Sequence, residues 1–418
     1  MTQPQVVHPV DSADVEPWLR GMLRAFLHDP YEQFTERVEQ TRLRWQPDRT
    51  WAVRDADQWV ATLVTEERSL TVPAADAATR DVTVDAVSGV TVSATHRRRG
   101  LLSAMLRDSL RAAQERGDAL SVLIPAEWPI YGRFGYAPAT QVAKYRYHPR
   151  RRGATPAAGT AARVRHVEPE ELRGVAADIF AAARRRHAGQ MDRRFPWWER
   201  ALGMDGYRFV DATGRNWAVH DSADGPDGLV RWAPTRGFDI TGPLGAIRVF
   251  DLVAASDEAY RDLWAYLAGI DVIDEIELTE RPVDEPVRWL LSDARALEQV
   301  AAVDFLWLRL LDVPTALQAR QYAVPGQVVL DVVDDDLGGY GAGRVELHAD
   351  RDQASCTATR RPADLRLTQR ALAASYLGGH RLRQRDVLGD VEELTPGAVA
   401  RFDAMFATAV PPWNQTWF

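Results

Sequence analysis

A single cysteine, Cys356, stands in a chain of 418 residues. One thiol excludes an intrachain disulfide and any cysteine-based metal cluster, so Cys356 is expected to be a small buried residue. Histidine is thin as well: nine are scattered along the chain with no H-E-x-x-H spacing, and no metal is expected. No apolar run is long enough to span a bilayer and no secretory pattern follows Met1, which points to a cytoplasmic protein with no membrane partner. Without such a signal the sequon Asn414-Gln415-Thr416 carries no glycosylation reading. Positive charge is in deficit, with 51 Lys and Arg against 59 Asp and Glu and a net charge of −8 at pH 7. That balance argues against nucleic acid as a partner and is compatible with a cationic substrate. Two nucleotide loops, G-x-G-x-x-G after a strand and G-x-x-x-x-G-K-[ST], are missing. So is the G-x-S-x-G elbow of many hydrolases, which leaves Ser-His-Asp hydrolysis with little support.

What is present is an ordinary globular composition, 46% apolar and 26% charged, in a chain long enough for two or three domains. The most informative stretch runs from Ala86 to Tyr136. Val87 to Val92 reads as a strand, and His96-Arg97-Arg98-Arg99-Gly100 as a basic turn. Leu102, Met105, Leu106, Leu110 and Ala113 then recur on one face of a helix that Gly117 ends. Ala119 to Ile124 is a second buried-type strand, stopped by Pro125. A helix start offers free N–H groups and the positive end of the helix dipole, which suits a phosphate or pyrophosphate. Gly100 carries no side chain to keep such a ligand away, and Arg97 and Arg98 add charge and donors. On its own the arginine run reads equally well as a solvated helix start.

The segment Arg97-x-x-Gly100-x-Leu102 resembles the acetyl-CoA pyrophosphate loop, [QR]-x-x-G-x-[GA], of the GCN5-related N-acetyltransferases (GNAT), with Leu102 in place of the usual small residue. About thirty residues later comes Ile130-Tyr131-Gly132-Arg133-Phe134-Gly135-Tyr136. T-H-R-R-R-G-L-L followed by I-Y-G-R-F-G-Y is similar to the Eis (enhanced intracellular survival) family of acetyltransferases. The resemblance extends over the whole chain and is strongest from Val87 to Thr140 and over the last hundred residues. It implies an α/β (α+β) protein of two tandem GNAT-like folds and a sterol-carrier-protein-like α/β domain. The implied domains are residues 1–150, with the acetyl-CoA site; 151–300, a degenerate central copy; and 301–418, whose last residue reaches the active site. It further implies acetyl-CoA as co-substrate, a small-molecule amine as acceptor, and a homo-oligomer, a hexamer of paired trimers.

Along the chain, Val15 to His28 reads as a helix and Tyr31 to Arg42 as a polar helical stretch. The runs at Trp51 and Trp59 read as a hairpin. In the resembling family Phe26, Asp29 and Trp45 fall where the acceptor pocket is lined, and Ser88 and Trp417 join them as substrate contacts. Tyr145 to His148 is expected to end the first domain, before a linker rich in Arg, Ala, Gly and Pro. That linker repeats the arginine–glycine spacing at Arg150 and Gly153, but no helix follows to bind phosphate. A helix from Val167 to about Arg186, strands near Trp217, Gly228 and Ile247, and a helix from Ser256 to Gly269 repeat the first domain's logic without its basic turn. Trp197 and Trp198 read as core packing. Asp334-Asp335-Asp336 lacks the glycine and distal glutamate of a calcium loop and reads as a solvated turn.

The chain stops on Trp417-Phe418, two large apolar residues that gain by burial and would carry a carboxylate inward. From the residues alone, simple anchoring of the tail is the favoured reading. In the resembling family the terminal carboxylate is the general base, which here would belong to Phe418. The resemblance also gives Tyr131 as general acid; an ordinary phenol is protonated at neutral pH. Val90 and Val92 would hold the pantetheine arm and polarise the thioester, and Arg97, Arg98, Gly100 and Leu101 the pyrophosphate. The expected reaction is N-acetylation of a primary amine on a cationic acceptor, whether an aminoglycoside (hence antibiotic resistance), a polyamine or a lysine side chain. The alternative is a non-catalytic CoA- or lipid-binding or assembly protein with a decayed site.

Overall fold

The computed structural model describes residues 5–29, 31, 34–74, 79–151, 156–204, 216–237, 245–333, 341–350 and 353–418. Gly153 and the Asp334-Asp335-Asp336 turn lie outside the described residues.

The first sheet is built from β1 (Gln5–Val7), β2 (Thr50–Asp55), β3 (Gln58–Pro73), β4 (Thr79–Val92), β5 (Leu120–Leu123) and β6 (Ala137–Pro138), with one strand from far downstream between β5 and β6. The hairpin expected at Trp51 and Trp59 is β2–β3. Helices α1 (Val15–Ala25) and α3 (Leu101–Glu115) cover opposite faces of this sheet, with α2 (Phe34–Arg42) beside α1 and the single turn α4 (Trp128–Tyr131) beyond β5. Helix α1 presses Trp18, Leu19 and Leu23 onto Ala52 and Val64, while α3 presses Met105, Leu106 and Leu110 onto Trp51, Val53, Leu63 and Val87. Alternate strand residues point to opposite faces, so one amphipathic helix serves each side.

The second sheet contains β7 (Gln141–Tyr147), β8 (Val164–Val167), β9 (Asn216–Ser222), β10 (Gly225–Arg236), β11 (Gly245–Ala254), β12 (Ile273–Arg281) and β13 (Leu297–Asp304), in the order β13-β7-β12-β11-β10-β9-β8. The helix expected from Val167 to Arg186 is two helices, α5 (Pro169–Leu172) and α6 (Ala176–Arg184), followed by α7 (Phe195–Leu202). Helix α8 (Asp257–Ala268) is capped by Ser256, whose hydroxyl accepts from the Ala259 N–H, and it joins the parallel pair β11 and β12. This repeats the β4-α3-β5 unit, in which the two strands are also parallel.

Both expected domain boundaries move, because strands are exchanged. Tyr145 to His148 does not end the first domain: β7 is hydrogen-bonded between β12 and β13 of the second sheet. Conversely β14 (Trp307–Leu310), which a boundary at 300 would give to the third domain, lies between β5 and β6 and completes the first sheet. Leu308 and Leu310 are wholly buried against Leu120 and Val122, apolar surface that β5 alone would leave open to water.

The third sheet, β17-β16-β15-β18-β19, is formed by β15 (Gly326–Val333), β16 (Gly343–Ala349), β17 (Ala354–Ala358), β18 (Leu365–Thr368) and β19 (Val391–Glu393). Helices α9 (Val313–Gln318), α10 (Gln369–Ser375) and α11 (Ala398–Phe406) pack with it. Its core runs without a break into one face of the first sheet: Leu70, Val84 and Ala86 share a cluster with Leu330, Leu372 and Phe402. Cys356 is buried in that cluster, as expected, and burial pushes its thiol up to about 12.

Candidate active site

Strands β4 and β5 start side by side, with Asp85 opposite Ser121 and Ala86 opposite Val122. Their pairing stops there although β4 continues to Val92, so a wedge opens between them. On its other edge β4 bulges: Thr62 opposes Thr91 and Val64 opposes Ser88, leaving Gly89 and Val90 without partners in that register. Gly89 needs its positive φ of 58° and its lack of a side chain, since a Cβ would lie 3.0 Å from Val64 and 3.3 Å from Met22. The Thr62 hydroxyl donates to the Gly89 carbonyl at 2.8 Å and fixes the bulge. A bulge re-aims peptide groups out of the ladder. Val90 stands on this stretch, beside the wedge, and Val92 lies two residues on, back in register opposite Ala61.

Past Val92 the chain turns into the basic loop. The Ser93 N–H is held by the Val60 carbonyl at 2.8 Å, and the His96 ring bridges Thr95 and the Asp55 carboxylate, each at 2.8 Å. Arg98 (φ 62°) and Gly100 (φ 77°) make the left-handed turn into α3, which has no side-chain cap at its start. A Cβ on Gly100 would meet nothing within 4 Å, so the turn into α3 is open on that side. Arg97 and Arg98 are exposed and have no carboxylate partner among the described residues, whereas Arg49 and Arg116 below the wedge do. Unpaired guanidinium groups, an uncapped helix start and an open glycine fit a pyrophosphate. Leu101, the first residue of α3, is buried, and Leu102 packs against the same apolar cluster.

Tyr131 ends α4 and is nearly buried among Val87, Leu101 and Leu123, the side chains at the mouth of the wedge. Burial, helped by the Glu127 carboxylate, pushes its phenol up to about 12. The loop after it is clasped by the strand inserted next to β5. Arg309 of β14, wholly buried, donates to the Phe134 carbonyl, and a side chain on Gly135 (φ 73°) would collide with that guanidinium. Tyr136 stands edge-on to Tyr131 at 6.2 Å and shares a 2.7 Å hydrogen bond with the Ser121 hydroxyl. Ser121 donates to the wholly buried Asp85 at 3.4 Å, and Arg49 (3.2 Å) and Arg116 (2.8 Å) donate to the other Asp85 oxygen. Burial raises the Asp85 carboxyl to about 6 against the pull of Arg116.

The tail reaches the same place from the opposite face of β4. The Ser88 hydroxyl donates to the main-chain oxygen of Phe418 at 3.2 Å, and the Phe418 ring lies 5.5 Å from the Arg68 guanidinium. Trp417 is half exposed, edge-on to Phe305 at 4.8 Å, with its indole N–H 3.4 Å from Glu280. On the α1 side, Met22 and Trp18 touch the Gly89 bulge, and Phe26 follows Met22 one turn later, 40% exposed. Asp29 is exposed and accepts from the Tyr31 N–H at 2.8 Å. Trp45 is a packing residue: its indole N–H donates to the Val10 carbonyl at 3.1 Å and its ring meets Trp18 edge-on.

Sequence reasoning missed Arg68, Arg309, the His96–Asp55 pairing and the Asp85 network, because each depends on a partner remote in the chain.

Comparison with known proteins agrees with this geometry. Residues 6–139 match an acetyltransferase (GNAT) domain model, residues 189–310 a second acetyltransferase (GNAT) model, and residues 313–415 a sterol carrier protein domain. An uncharacterized N-acetyltransferase of Streptomyces griseus is 38% identical over 421 residues, 98% of either chain. The N-acetyltransferase Eis of Mycobacterium tuberculosis is 32% identical over 339 residues, 78% of either chain. The crystal structure of Eis1 from Mycobacterium abscessus matches with a TM-score of 0.84 at 30% identity, over 99% of this chain and all of that one. With an open wedge, a basic loop before α3 and three domains in this order, the chain belongs to the Eis-like N-acetyltransferases of the GNAT fold.

Proposed function

We propose that this enzyme moves an acetyl group from acetyl-CoA to a primary amine of a cationic small molecule, with Tyr131 as general acid and the terminal carboxylate of Phe418 as general base. The observation that carries the reading is the 3.2 Å hydrogen bond from Ser88 to Phe418, which sets a main-chain oxygen of the tail beside the bulge of β4. Acetyl-CoA supplies an activated thioester, with Arg97, Arg98, Gly100 and Leu101 holding its pyrophosphate. Val90 and Val92 offer peptide N–H groups to the pantetheine arm and to the thioester oxygen, where negative charge grows in the transition state. Phe418 accepts, through a water, the proton that the attacking amine sheds as its C–N bond forms. Tyr131 gives its proton to the sulfur as the C–S bond breaks; a phenol held near 12 stays protonated until that demand arises.

The acceptor lies against Phe26, Asp29, Ser88 and Trp417 in this reading. The net charge of −8 supports a cation, and Glu66 and Glu280 keep carboxylates on the tail side of the site. Aminoglycosides, polyamines and lysine side chains are the classes proposed, acted on in the cytoplasm by a hexamer of paired trimers; the family resemblance supports the hexamer.

The test is CoA thiol release with acetyl-CoA and a panel of those amines. It is run on the parent chain, on Tyr131→Phe and on a chain extended by a few residues past Phe418. Turnover lost in both variants supports the two assignments. Turnover indifferent to the extension removes Phe418 from the chemistry.

A further inference from the structure

The second domain has no arginine–glycine turn of its own, yet one of its segments, residues 187–194, runs between the first domain and the tail. On one side it is laced to β3. The Gly189 N–H donates to the Thr71 carbonyl (2.7 Å), the Thr71 N–H to the Gln190 carbonyl (3.0 Å) and the Asp192 N–H to the Ser69 carbonyl (2.9 Å). On the other side it holds the tail. The Trp413 N–H donates to the Ala188 carbonyl at 2.8 Å, and the Met191 N–H to the Asn414 side chain at 3.2 Å.

Arg193, 7% exposed, closes this arrangement. Its Nε donates to the Thr416 hydroxyl at 3.1 Å and one terminal nitrogen to the Gln415 carbonyl at 3.5 Å. The same guanidinium is fixed from below by Asp251 of β11 at 2.8 Å and lies 3.9 Å over the Trp197 ring. Asp251 also pairs with Arg231 at 3.1 Å, so its charge does not depend on Arg193 alone. Asn414 takes both polar groups of the Thr416 main chain, accepting from its N–H at 3.1 Å and donating to its carbonyl at 3.0 Å. Thr416 is wholly buried and two residues from the terminal carboxylate, a reach of about 7 Å in extended chain. Fixing Thr416 therefore fixes where that carboxylate can stand. A free end of this length would otherwise fray.

We propose that Arg193 is a positioning residue: through Thr416 the second domain holds the terminal carboxylate in register with Ser88. This rests on the reading of Phe418 as the base. The segment links β3, which carries the bulge partner Val64, to the tail that must meet it, so both halves of the site are measured from one ruler.

The experiment compares Thr416→Val, Arg193→Met and a chain lacking Phe418 with the parent. It reads kcat, KM for acetyl-CoA, thermal midpoint, and the rate at which a carboxypeptidase releases Phe418 and Trp417. Thr416→Val keeps the shape and the Arg193–Asp251 pair, so it answers even where Arg193→Met fails to fold. The expected result is a fall in kcat of about 10- to 100-fold in both variants, the cost of a misplaced group of roughly 1 Å. KM for acetyl-CoA stays unchanged, the midpoint of Thr416→Val falls modestly because the buried Arg193 Nε loses its acceptor, and tail release speeds up at least about tenfold, in line with the same loosening. Thr416→Val with parental kcat and a resistant tail overturns the proposal. A chain lacking Phe418 that keeps full kcat overturns instead the carboxylate's role, and the carboxypeptidase rates still decide whether Arg193 holds the tail.

Discussion

Ser88 and Phe418, 330 positions apart, meet through one hydrogen bond of 3.2 Å. Ser88 sits at the start of the bulge, so this contact joins the strand proposed to hold the acyl donor to the tail. A hydrogen bond to a charged group contributes about 1.5–3 kcal/mol. Ser88→Ala is expected to lower kcat about tenfold, the lower end of that range at 1.36 kcal/mol per decade. KM for acetyl-CoA should not move. A parental kcat would show that the contact orders the tail without tuning the base.

Arg97 and Arg98 act on binding alone in this scheme. Replacing either by Ala is expected to raise KM for acetyl-CoA about tenfold while kcat holds, the signature of lost uniform binding. The effect should shrink as salt rises from 50 to 500 mM, because exposed charges are screened over about 10 Å at 0.1 M. Initial rates across both variables check this.

For Tyr131 the sign is simple. The acid is competent below its pKa, which burial raises to about 12, so no loss of kcat from Tyr131 ionisation is expected up to pH 10. Tyr131→Phe should lower kcat by about 100-fold or more, the usual range for a general acid. A basic limb in the parent that persists in Tyr131→Phe would assign that limb to another group.

His187 gives the tail support an acid limit. Burial, then the Arg281 and Arg186 cations, lowers its pKa from 6.5 to about 4, so the folded chain keeps this imidazole neutral where the unfolded chain protonates it. Its stabilising share is complete above about 6.5 and is lost as pH falls through about 4, roughly 3 kcal/mol at 1.36 kcal/mol per unit. Denaturant midpoints between pH 7 and 4 should fall less steeply for His187→Phe than for the parent. Equal slopes would remove His187 from the acid response.

Gly135→Ala is expected to be among the most damaging single changes at the site. Its φ of 73° disfavours any Cβ, and that atom would also displace the buried Arg309 guanidinium. The left-handed conformation alone costs about 1–3 kcal/mol, before the displacement. Thermal unfolding measures the loss, and Tyr131-dependent kcat should fall with it, since the same loop carries both residues.

Much of the site is legible in the sequence because it is local. Helix α3 shows its apolar face at fixed spacing, Gly100 precedes it, and the strands on either side are short apolar runs, so the basic loop can be read from some forty neighbouring residues. The terminal Trp417-Phe418 pair suggests burial by its chemistry, yet Trp417 stays 55% exposed and Phe418 is partly buried. What a strand pairs with is not local. Tyr145 to His148 is expected to end the first domain, yet Tyr145 and Tyr147 lie on a strand of the second sheet, and the fully buried Trp307–Leu310 joins the first sheet from beyond residue 300. Periodicity reports which face is buried and says nothing of the partner strand. Arg193 and Arg309 are likewise two among 51 basic residues until the fold brings Thr416 and Phe134 to them. Trp45, placed near the pocket only by analogy, packs edge-on to Trp18.

The exchanged strand β14 sets a schedule for synthesis. On the ribosome β5 is complete at Leu123, but its outer neighbour is not made until Trp307 to Leu310 emerge. At 5–20 residues per second that wait is on the order of ten seconds or more. During it Leu120 and Val122 lack the cover of Leu308 and Leu310, and the nascent first domain exposes an apolar strand edge that chaperones can recognise. The contact from Ser88 to Phe418 forms only after residue 418 has been made. A prematurely terminated product would therefore carry the whole basic loop and α3 and still lack the residue proposed to remove the proton.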